Sequence, residues 1–539
     1  MNKLFRETLC RRKKEIFIIL FLQTFASLTT LIAPYINGRF VDVLVSSQEY
    51  RDVLLFTAIA FIISFFGIMT GYIFRIIQLK VKSYMSFELN LKIIEHIQRI
   101  PIEKFEKFES TYMNQRIRGD CETVTNFWMS NFMSAILNVI ILISMSILLF
   151  KLNRALFLII IIFIPIYCFI YILMRKPLYV KGLESTESSN LFVSKLNELY
   201  ERSREIKTDV LFDLENKAMF NKFSSYMNIV LRYNKLLFGF NSLDGIISLM
   251  FQIIVFLYGG KMVIQKDMTI GEFTMINSYF SIILESIKYY FLLGQTYQEM
   301  KISRNRIQEL LDINLESNGI EVINRVDRLE ARKVNYSYNS KNVFNIGFDI
   351  TIDKKGIYGL IGKNGIGKTT LVNILVGINN DKLSGEVCIN GLDTKKIDMY
   401  NLRKFKISLM MQGTNNTNII VSDYIYKYIT KDKFDLLRED DICNKVFFSD
   451  LFNLDFLMTK KISELSSGER QMVQLFTKVY KIADVYIFDE PTSNVHPLLI
   501  DNIWLLMEQL KNLEKIIIII SHDKCIYNKF DKCFDLNIQ

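Results

Sequence analysis

Ile357-Tyr358-Gly359-Leu360-Ile361-Gly362-Lys363-Asn364-Gly365-Ile366-Gly367-Lys368-Thr369-Thr370-Leu371 passes from a short apolar run, through a glycine-rich loop, into a stretch with helical patterning. Strand, glycine loop and helix in that order are what a phosphate-binding Walker A loop needs. Gly362, Gly365 and Gly367 let backbone N–H groups turn toward phosphate oxygens, with Asn364 in the same turn. The helix start and the Lys368 ammonium neutralise phosphate charge, and the Thr369 hydroxyl is suited to Mg2+; Thr370 completes the nucleotide-binding set.

Downstream, Val485-Tyr486-Ile487-Phe488-Asp489-Glu490 has the pattern of a buried strand ending in two carboxylates. In this Walker B arrangement Asp489 holds the metal and Glu490 polarises the attacking water. About twenty residues before that strand lies Leu465-Ser466-Ser467-Gly468-Glu469. It resembles the L-S-G-G-Q signature that sets ABC ATPases apart among P-loop proteins.

The resemblance implies a nucleotide sandwiched between two subunits, with Ser466, Gly468 and Glu469 at a helix N-terminus facing the γ-phosphate on the opposite subunit. It also implies that Tyr338 stacks on adenine, that Gln412 reaches the metal and the attacking water, and that His522 contacts the γ-phosphate. The expected catalytic set is then Lys368, Gln412, Glu490 and His522, and the expected metal set Thr369, Gln412 and Asp489. Three features depart from the family pattern: the signature reads S-S-G-E, His496 stands where the D-loop normally has Asp, and the chain stops at Gln539 without the usual C-terminal helices. None removes a catalytic group. A homodimer with two working sites is therefore expected, with a heterodimer in which this is the competent half as the alternative.

Upstream, the composition changes. Half of the 539 residues are hydrophobic, too much apolar surface for a soluble chain of this size to hide. Apolar runs close to the ~20 residues a helix needs to cross a bilayer fall at about 16–36, 53–77, 131–150, 155–174, 246–264 and 273–294. The first follows Arg11, Arg12, Lys13 and Lys14, and it lacks the cleavage site of a secretory signal, so it is expected to remain as an anchor. Segments at about 78–130 and 175–245 are long, basic and helix-patterned, which places them, the N-terminus and the C-terminal half in the cytoplasm. The loop Lys151-Leu152-Asn153-Arg154 leaves two positive charges outside, a smaller count against that orientation.

Phrases in this half resemble the transmembrane domain of ABC exporters of the six-helix, domain-swapped type IV architecture. Pro34-x-x-x-Gly38-x-x-x-Asp42 ends the first span, Arg116-Ile117-Arg118-Gly119-Asp120 follows the first coupling helix, and Glu198 with Ile206-Lys207 marks the second. Thr269-Ile270-Gly271-Glu272-Phe273 opens the sixth span. Thr111 and Arg202 stand where the family usually has Gly, so different turns are expected there.

The sixth span carries a polar stripe. At 100° per residue Asn277, Ser281, Glu285, Lys288 and Gln295 fall within about an 80° arc, and Glu285 and Lys288 are spaced to pair. The fifth repeats the idea with Asn241, Asp244, Ser248 and Gln252. An intramembrane charge costs about 2.5–3.5 kcal/mol on insertion scales, so the stripe either glues helices together or lines a hydrophilic path; Asn277, Ser281, Glu285 and Lys288 are the candidate path residues.

The net charge of +10 is scattered around apolar runs and not gathered into a stripe, which argues against a nucleic-acid partner. The seven cysteines show no C-x-x-C pair and, with three histidines, no zinc spacing. Few prolines and many Lys, Asn and Ile residues fit a bacterial genome.

The expected fold is therefore an α-helical membrane domain of six transmembrane helices at residues 1–310, a linker at 311–327, and an α/β P-loop ABC cassette at 328–539. ATP and Mg2+ are the expected cofactors. The expected activity is ATP-driven efflux of a peptide or multidrug-like amphiphile across the cytoplasmic membrane; a lipid flippase, an ATP-gated channel or regulator, and a soluble repair or translation ATPase are the alternatives. Membrane lipid and the exported peptide, drug or lipid are the expected partners. With no peptidase domain ahead of the first span, the chain is not expected to trim a leader itself.

Overall fold

The computed structural model describes residues 2–46, 50–105, 110–338, 341–342, 348–353, 355–363, 365–378, 383–411, 417–522 and 524–536. The chain divides into two compact units, one of residues 1–98 and 108–313, the other of residues 99–107 and 314–539.

The first unit is helical. It comprises α1 (Asn2–Arg11), α2 (Lys13–Ser46), α3 (Tyr50–Ile97), α5 (Ser110–Asn126), α6 (Met133–Leu152), α7 (Arg154–Glu201), α8 (Ser203–Thr208), α9 (Phe212–Ile264) and α10 (Ile270–Leu311); the short α4 (Ile102–Phe105) belongs to the second unit. The six apolar runs lie within α2, α3, α6, α7, α9 and α10. Four stretches among the described residues are long and apolar enough by themselves to cross a membrane: Lys13–Ser46, Tyr50–Ile97, Ile117–Leu152 and Phe212–Ile264. In α10 the polar stripe dilutes the hydropathy, and in the apolar half of α7 several side chains lie outside the described set. α3 has 48 residues and α9 has 53, so at 1.5 Å per residue each is about 70–80 Å long, over twice the ~30 Å hydrocarbon core. Their polar remainders therefore run on into water as the two basic excursions.

Lipid explains the surface. Phe17, Phe21, Phe61, Phe66 and Ile68 are exposed, while a core of Val81, Met85, Leu89, Ile93, Ile117, Val124 and Met300 packs where α3, α5 and α10 meet. α7 and α9 pack mainly on each other, whereas α10 runs along α2 and α6. Arg12, from the basic cluster, donates to Glu88 at 2.7 Å and lies over the Tyr84 ring, tying the chain's start to α3.

Two of the phrases noted in the sequence turn out to be halves of one contact. Asp42 on α2 accepts from Thr269 Oγ1 at 3.0 Å and from the Gly271 N–H at 2.7 Å, so a carboxylate caps the N-terminus of α10. Gly38, one turn earlier, is where the helices touch: a Cβ there would run into the Met275 side chain and the Gly271 carbonyl. Thr269 and Glu272 add a reciprocal capping box. Charge-assisted hydrogen bonds contribute about 1.5–3 kcal/mol. Asp42→Ala is accordingly expected to lower the unfolding midpoint of the detergent-solubilised protein by several degrees, and an unchanged midpoint would remove this contact from the stability argument.

Between α5 and α6 the helix widens into a π segment, Phe127–Phe132. Such a bulge loosens the regular ladder, and its carbonyls need other donors. Gln78 Nε2 donates to Met129 O at 3.0 Å and Tyr289 Oη to Asn131 O, while just beyond the segment Tyr290 Oη donates to Ala135 O at 2.5 Å. Phe127, Trp128, Phe132 and Tyr297 form an aromatic cluster around it. At Arg202, φ is −85° and ψ is 9°, an ordinary right-handed turn that needs no glycine; its guanidinium pairs with Glu198, Glu205 and Glu215. The side chain of Thr111 lies outside the described residues.

The second unit contains an antiparallel sheet of β1 (Leu329–Tyr338), β2 (Lys341–Asn342), β3 (Phe348–Ile352), β5 (Leu383–Ile389) and β6 (Leu392–Asp393), in which β2, β3 and β5 all pair with β1 and β6 pairs with β5. A second sheet is parallel throughout, in the order β12 (Lys532–Asp535), β4 (Gly356–Ile361), β11 (Ile516–Ile520), β10 (Val485–Asp489), β7 (Ile407–Met410). Alternate residues of its central strands enter two separate cores: Ile517, Ile519, Tyr486 and Phe488 on one face, Ile516, Ile518, Ile520, Val485 and Ile487 on the other. Burial on both faces is why these strands read as unbroken apolar runs. Helices α11 (Lys368–Leu375), α12 (Met399–Phe405), α13 (Val421–Tyr426), α14 (Lys431–Leu437), α15 (Asp441–Phe447), α16 (Ser467–Tyr480) and α17 (Pro497–Asn512), with the hairpin β8 (Phe448–Ser449) and β9 (Phe452–Asn453), complete it. Ahead of β1, Glu316 accepts from Arg403 Nη2 at 2.6 Å and its N–H donates to Arg99 O at 2.8 Å.

Candidate nucleotide site

Register assembles the site. Asp489 on β10 lies opposite Ile520 on β11, and Ile520 opposite Leu360 on β4, so Glu490, Ser521 and Ile361 leave three neighbouring strands at the same level. The carboxyl edge of an open parallel sheet is where ligands bind in such folds. From β4 the chain passes through the glycine loop into α11, whose N-cap Gly367 has φ 102°, a left-handed conformation that favours glycine. Lys368 is buried, and its Nζ donates to Gly362 O at 2.7 Å and Lys363 O at 3.2 Å. The charge is thus held inside the loop by the loop's own carbonyls.

Two side-chain pairs stand at this edge. Thr369 Oγ1 lies 3.4 Å from Asp489 Oδ2, and His522 Nδ1 lies 2.7 Å from Glu490 Oε1. Asp489 is buried and Glu490 nearly so, whereas His522 is exposed. The first pair offers two hard oxygens to a cation. No group of three or more His, Cys, Asp or Glu side chains is arranged for a metal among the described residues, and Mg2+ needs none, because it binds through one or two protein oxygens with phosphate and water. The residues present therefore fit Mg2+ together with a nucleotide. Asn364 and Gln412 lie outside the described residues, as does the Tyr338 side chain, although the Tyr338 backbone pairs with Lys341.

Ser466, Gly468 and Glu469 form their own group at the start of α16. Ser466 is its N-cap, accepting from the Glu469 N–H at 3.2 Å, while Glu469 Oε2 accepts from the Ser466 N–H at 2.7 Å. The Glu of S-S-G-E thus closes a capping box, a pattern legible as S-x-x-E that the sequence reading passed over. The Ser466 backbone N–H, chiefly, holds the Glu469 carboxyl below its usual range against the opposing effect of burial. Gly468 admits no side chain, since a Cβ would come 2.6 Å from the Asn494 carbonyl. His496 caps α17 through Nδ1, which accepts from the Leu498 N–H at 3.4 Å. Gln471 leaves only a faint mark in the sequence, a polar residue in helical phase with the buried Leu475 and Val479.

On α10, Ser281 and Glu285 are exposed, and Asn277 and Lys288 half-buried. In α9, Asn241 is exposed, and the Asp244 side chain lies outside the described residues.

Comparison with known proteins agrees with both halves. The ABC transporter transmembrane region family matches residues 16–287, and the ABC transporter family matches residues 346–493. The sublancin-168-processing and transport ATP-binding protein SunT of Bacillus subtilis is 24% identical over 98% of this chain and 75% of its own length. The lactococcin-A transport/processing ATP-binding protein LcnC of Lactococcus lactis is 21% identical, covering 95% of this chain and 72% of its own. A bacterial Atm1-family ABC exporter solved with ATP bound shares the fold, with a TM-score of 0.82 at 16% identity over 98% of this chain and 93% of that one. A multi-pass membrane region fused to a cassette of this kind makes the chain an ATPase-coupled transporter: it belongs to the ABC transporter family.

Proposed function

We propose that the chain is a half-transporter that dimerises and uses ATP to export a peptide-like amphiphile outward across a bacterial cytoplasmic membrane, with its N-terminus and cassette inside. The observation that carries the reading is the pair of contacts Thr369–Asp489 and Glu490–His522 at one sheet edge of a cassette fused to membrane-crossing helices. In this reading the membrane domain is residues 1–310, the linker 311–327 and the cassette 328–539.

Each residue has a role. The loop of Gly362, Asn364, Gly365 and Gly367, with Lys368, Thr369 and Thr370, cradles the phosphates, and Tyr338 stacks on adenine. Thr369, Asp489 and Gln412 would hold Mg2+, which when bound draws charge from the phosphates. Glu490 takes a proton from the attacking water, and His522, bonded to it, orients that carboxylate and faces the terminal phosphate. Ser466, Gly468 and Glu469 serve the nucleotide of a second copy, so a single chain is incomplete. A homodimer is favoured because Glu490 and His522 are both present. The separate α7–α9 pair supports an architecture in which spans four and five serve the partner.

The peptide reading draws on the relatives, which are named as sublancin-168 and lactococcin-A processing and transport proteins, and on the stripe of Asn277, Ser281, Glu285 and Lys288. The joint variant Glu285→Ala, Lys288→Ala is expected to abolish uptake of a labelled cationic peptide into inverted vesicles while basal ATP hydrolysis persists. Undiminished uptake would exclude the stripe as a path. Movement of labelled phospholipid would favour a flippase, and passive ion flux a channel.

A further inference from the structure

Gln471 sits on the buried face of α16, 5% exposed and two residues beyond the signature. Its amide is used at both ends. Nε2 donates to Glu490 O at 2.9 Å and Pro491 O at 3.0 Å, while Oε1 lies 3.3 Å from Ser493 Oγ and 3.4 Å from Asn494 Nδ2. Both ends of the carboxamide thus have partners within hydrogen-bond reach, the one Ser493 hydroxyl hydrogen being shared between Gln471 Oε1 and Glu490 O.

The backbone it grips is under constraint. Glu490 has φ 50°, a left-handed conformation that a Glu holds only when its surroundings enforce it, and Asn494 has φ 57°, a conformation asparagine tolerates better than most residues. Besides Gln471, the Glu490 carbonyl receives the Ser493 N–H at 3.2 Å and lies 3.0 Å from Ser493 Oγ. Asn494 O in turn lies 2.6 Å from where a Cβ on Gly468 would be. Three separately recognised segments therefore converge on one buried side chain: the turn that aims Glu490, the Ser493–Asn494 loop and the helix that opens with the signature.

We propose that Gln471 is a positioning residue for ATP hydrolysis: it fixes the turn that aims Glu490 and locks that turn to the signature helix. This rests on the nucleotide-site reading above. The base acting on one nucleotide and the helix start offered to a partner's nucleotide then move as one rigid piece. Without the lock, Glu490 relaxes from its constrained conformation and the proton-abstracting carboxylate wanders, with the phosphate loop untouched.

The test uses the full chain reconstituted in nanodiscs. Gln471→Met keeps the volume and removes every hydrogen bond of the amide. Its kcat is expected to fall at least tenfold with KM for ATP and the Kd of a fluorescent ATP analogue within twofold of the parent. Ser493→Ala, at a half-buried position, is expected to lower kcat about threefold in the same way, and the double variant to be no slower than Gln471→Met alone. A kcat within twofold of the parent in Gln471→Met, a loss appearing in KM instead, or independent multiplication of the two effects overturns the proposal. If Gln471→Met does not fold, Ser493→Ala decides, and parental kcat there overturns it. Failure of the underlying reading looks different: the parent would hydrolyse no ATP, or Glu490→Gln would keep the parental rate.

Discussion

Glu490→Gln is expected to slow ATP hydrolysis by about 10²–10⁴-fold while nucleotide binding persists, the range over which a positioned general base acts. Gln has nearly the shape of Glu, so the turn at φ 50° and its hydrogen bonds to Gln471 and Ser493 are kept. What disappears is the acceptor charge 2.7 Å from His522 Nδ1. The variant should therefore accumulate with ATP bound and the cassettes closed, seen as retention of labelled ATP through gel filtration with phosphate release near background. Phosphate release at the parental rate would remove Glu490 from the chemistry and, with it, the assignment of the site.

Lys368→Met acts earlier. The ammonium is buried in the loop between the carbonyls of Gly362 and Lys363, so on the proposed nucleotide-site reading it is a fixed charge at the place where phosphate oxygens would arrive. Methionine fills the volume without charge and leaves those carbonyls facing an apolar chain. Loss of one preorganised electrostatic group of this kind lowers turnover by about 10²–10³-fold. Here the loss should appear in binding as well, as a failure to retain labelled ATP, which separates this variant from Glu490→Gln. Retention of ATP by both would mean that Lys368 is no part of the phosphate cradle.

Much of this was legible in the residues. The glycine loop, the apolar strand ending in Asp489-Glu490 and His522 after Ile516–Ile520 were each readable from local pattern, because a strand buried on both faces and a loop requiring left-handed glycine leave strong marks. The structure adds register, which no local pattern carries: only strand pairing sets Asp489, Ile520 and Leu360 at one level. Gln471 stayed hidden since a single polar residue in an apolar stripe looks like noise until its four partners, 19–23 residues away, fold onto it. Arginine in place of the family's glycine at residue 202 suggests an altered turn, but φ of −85° there makes the glycine dispensable. Likewise the P-x-x-x-G-x-x-x-D and T-x-G-E phrases carried no sign in sequence that they belong to one another.

That last pairing bears on how the protein is made. Asp42 leaves the ribosome well before its partner, for the Gly271 amide that it holds comes 229 residues later. Until the final membrane helix inserts, the carboxylate must remain at the bilayer boundary without its eventual donors, and Gly38 without the neighbour shaped to fit it. Closure of the bundle is thus deferred until α10 (Ile270–Leu311) is made, and a nascent chain arrested before that helix would present quality-control proteases with an unfinished helical bundle.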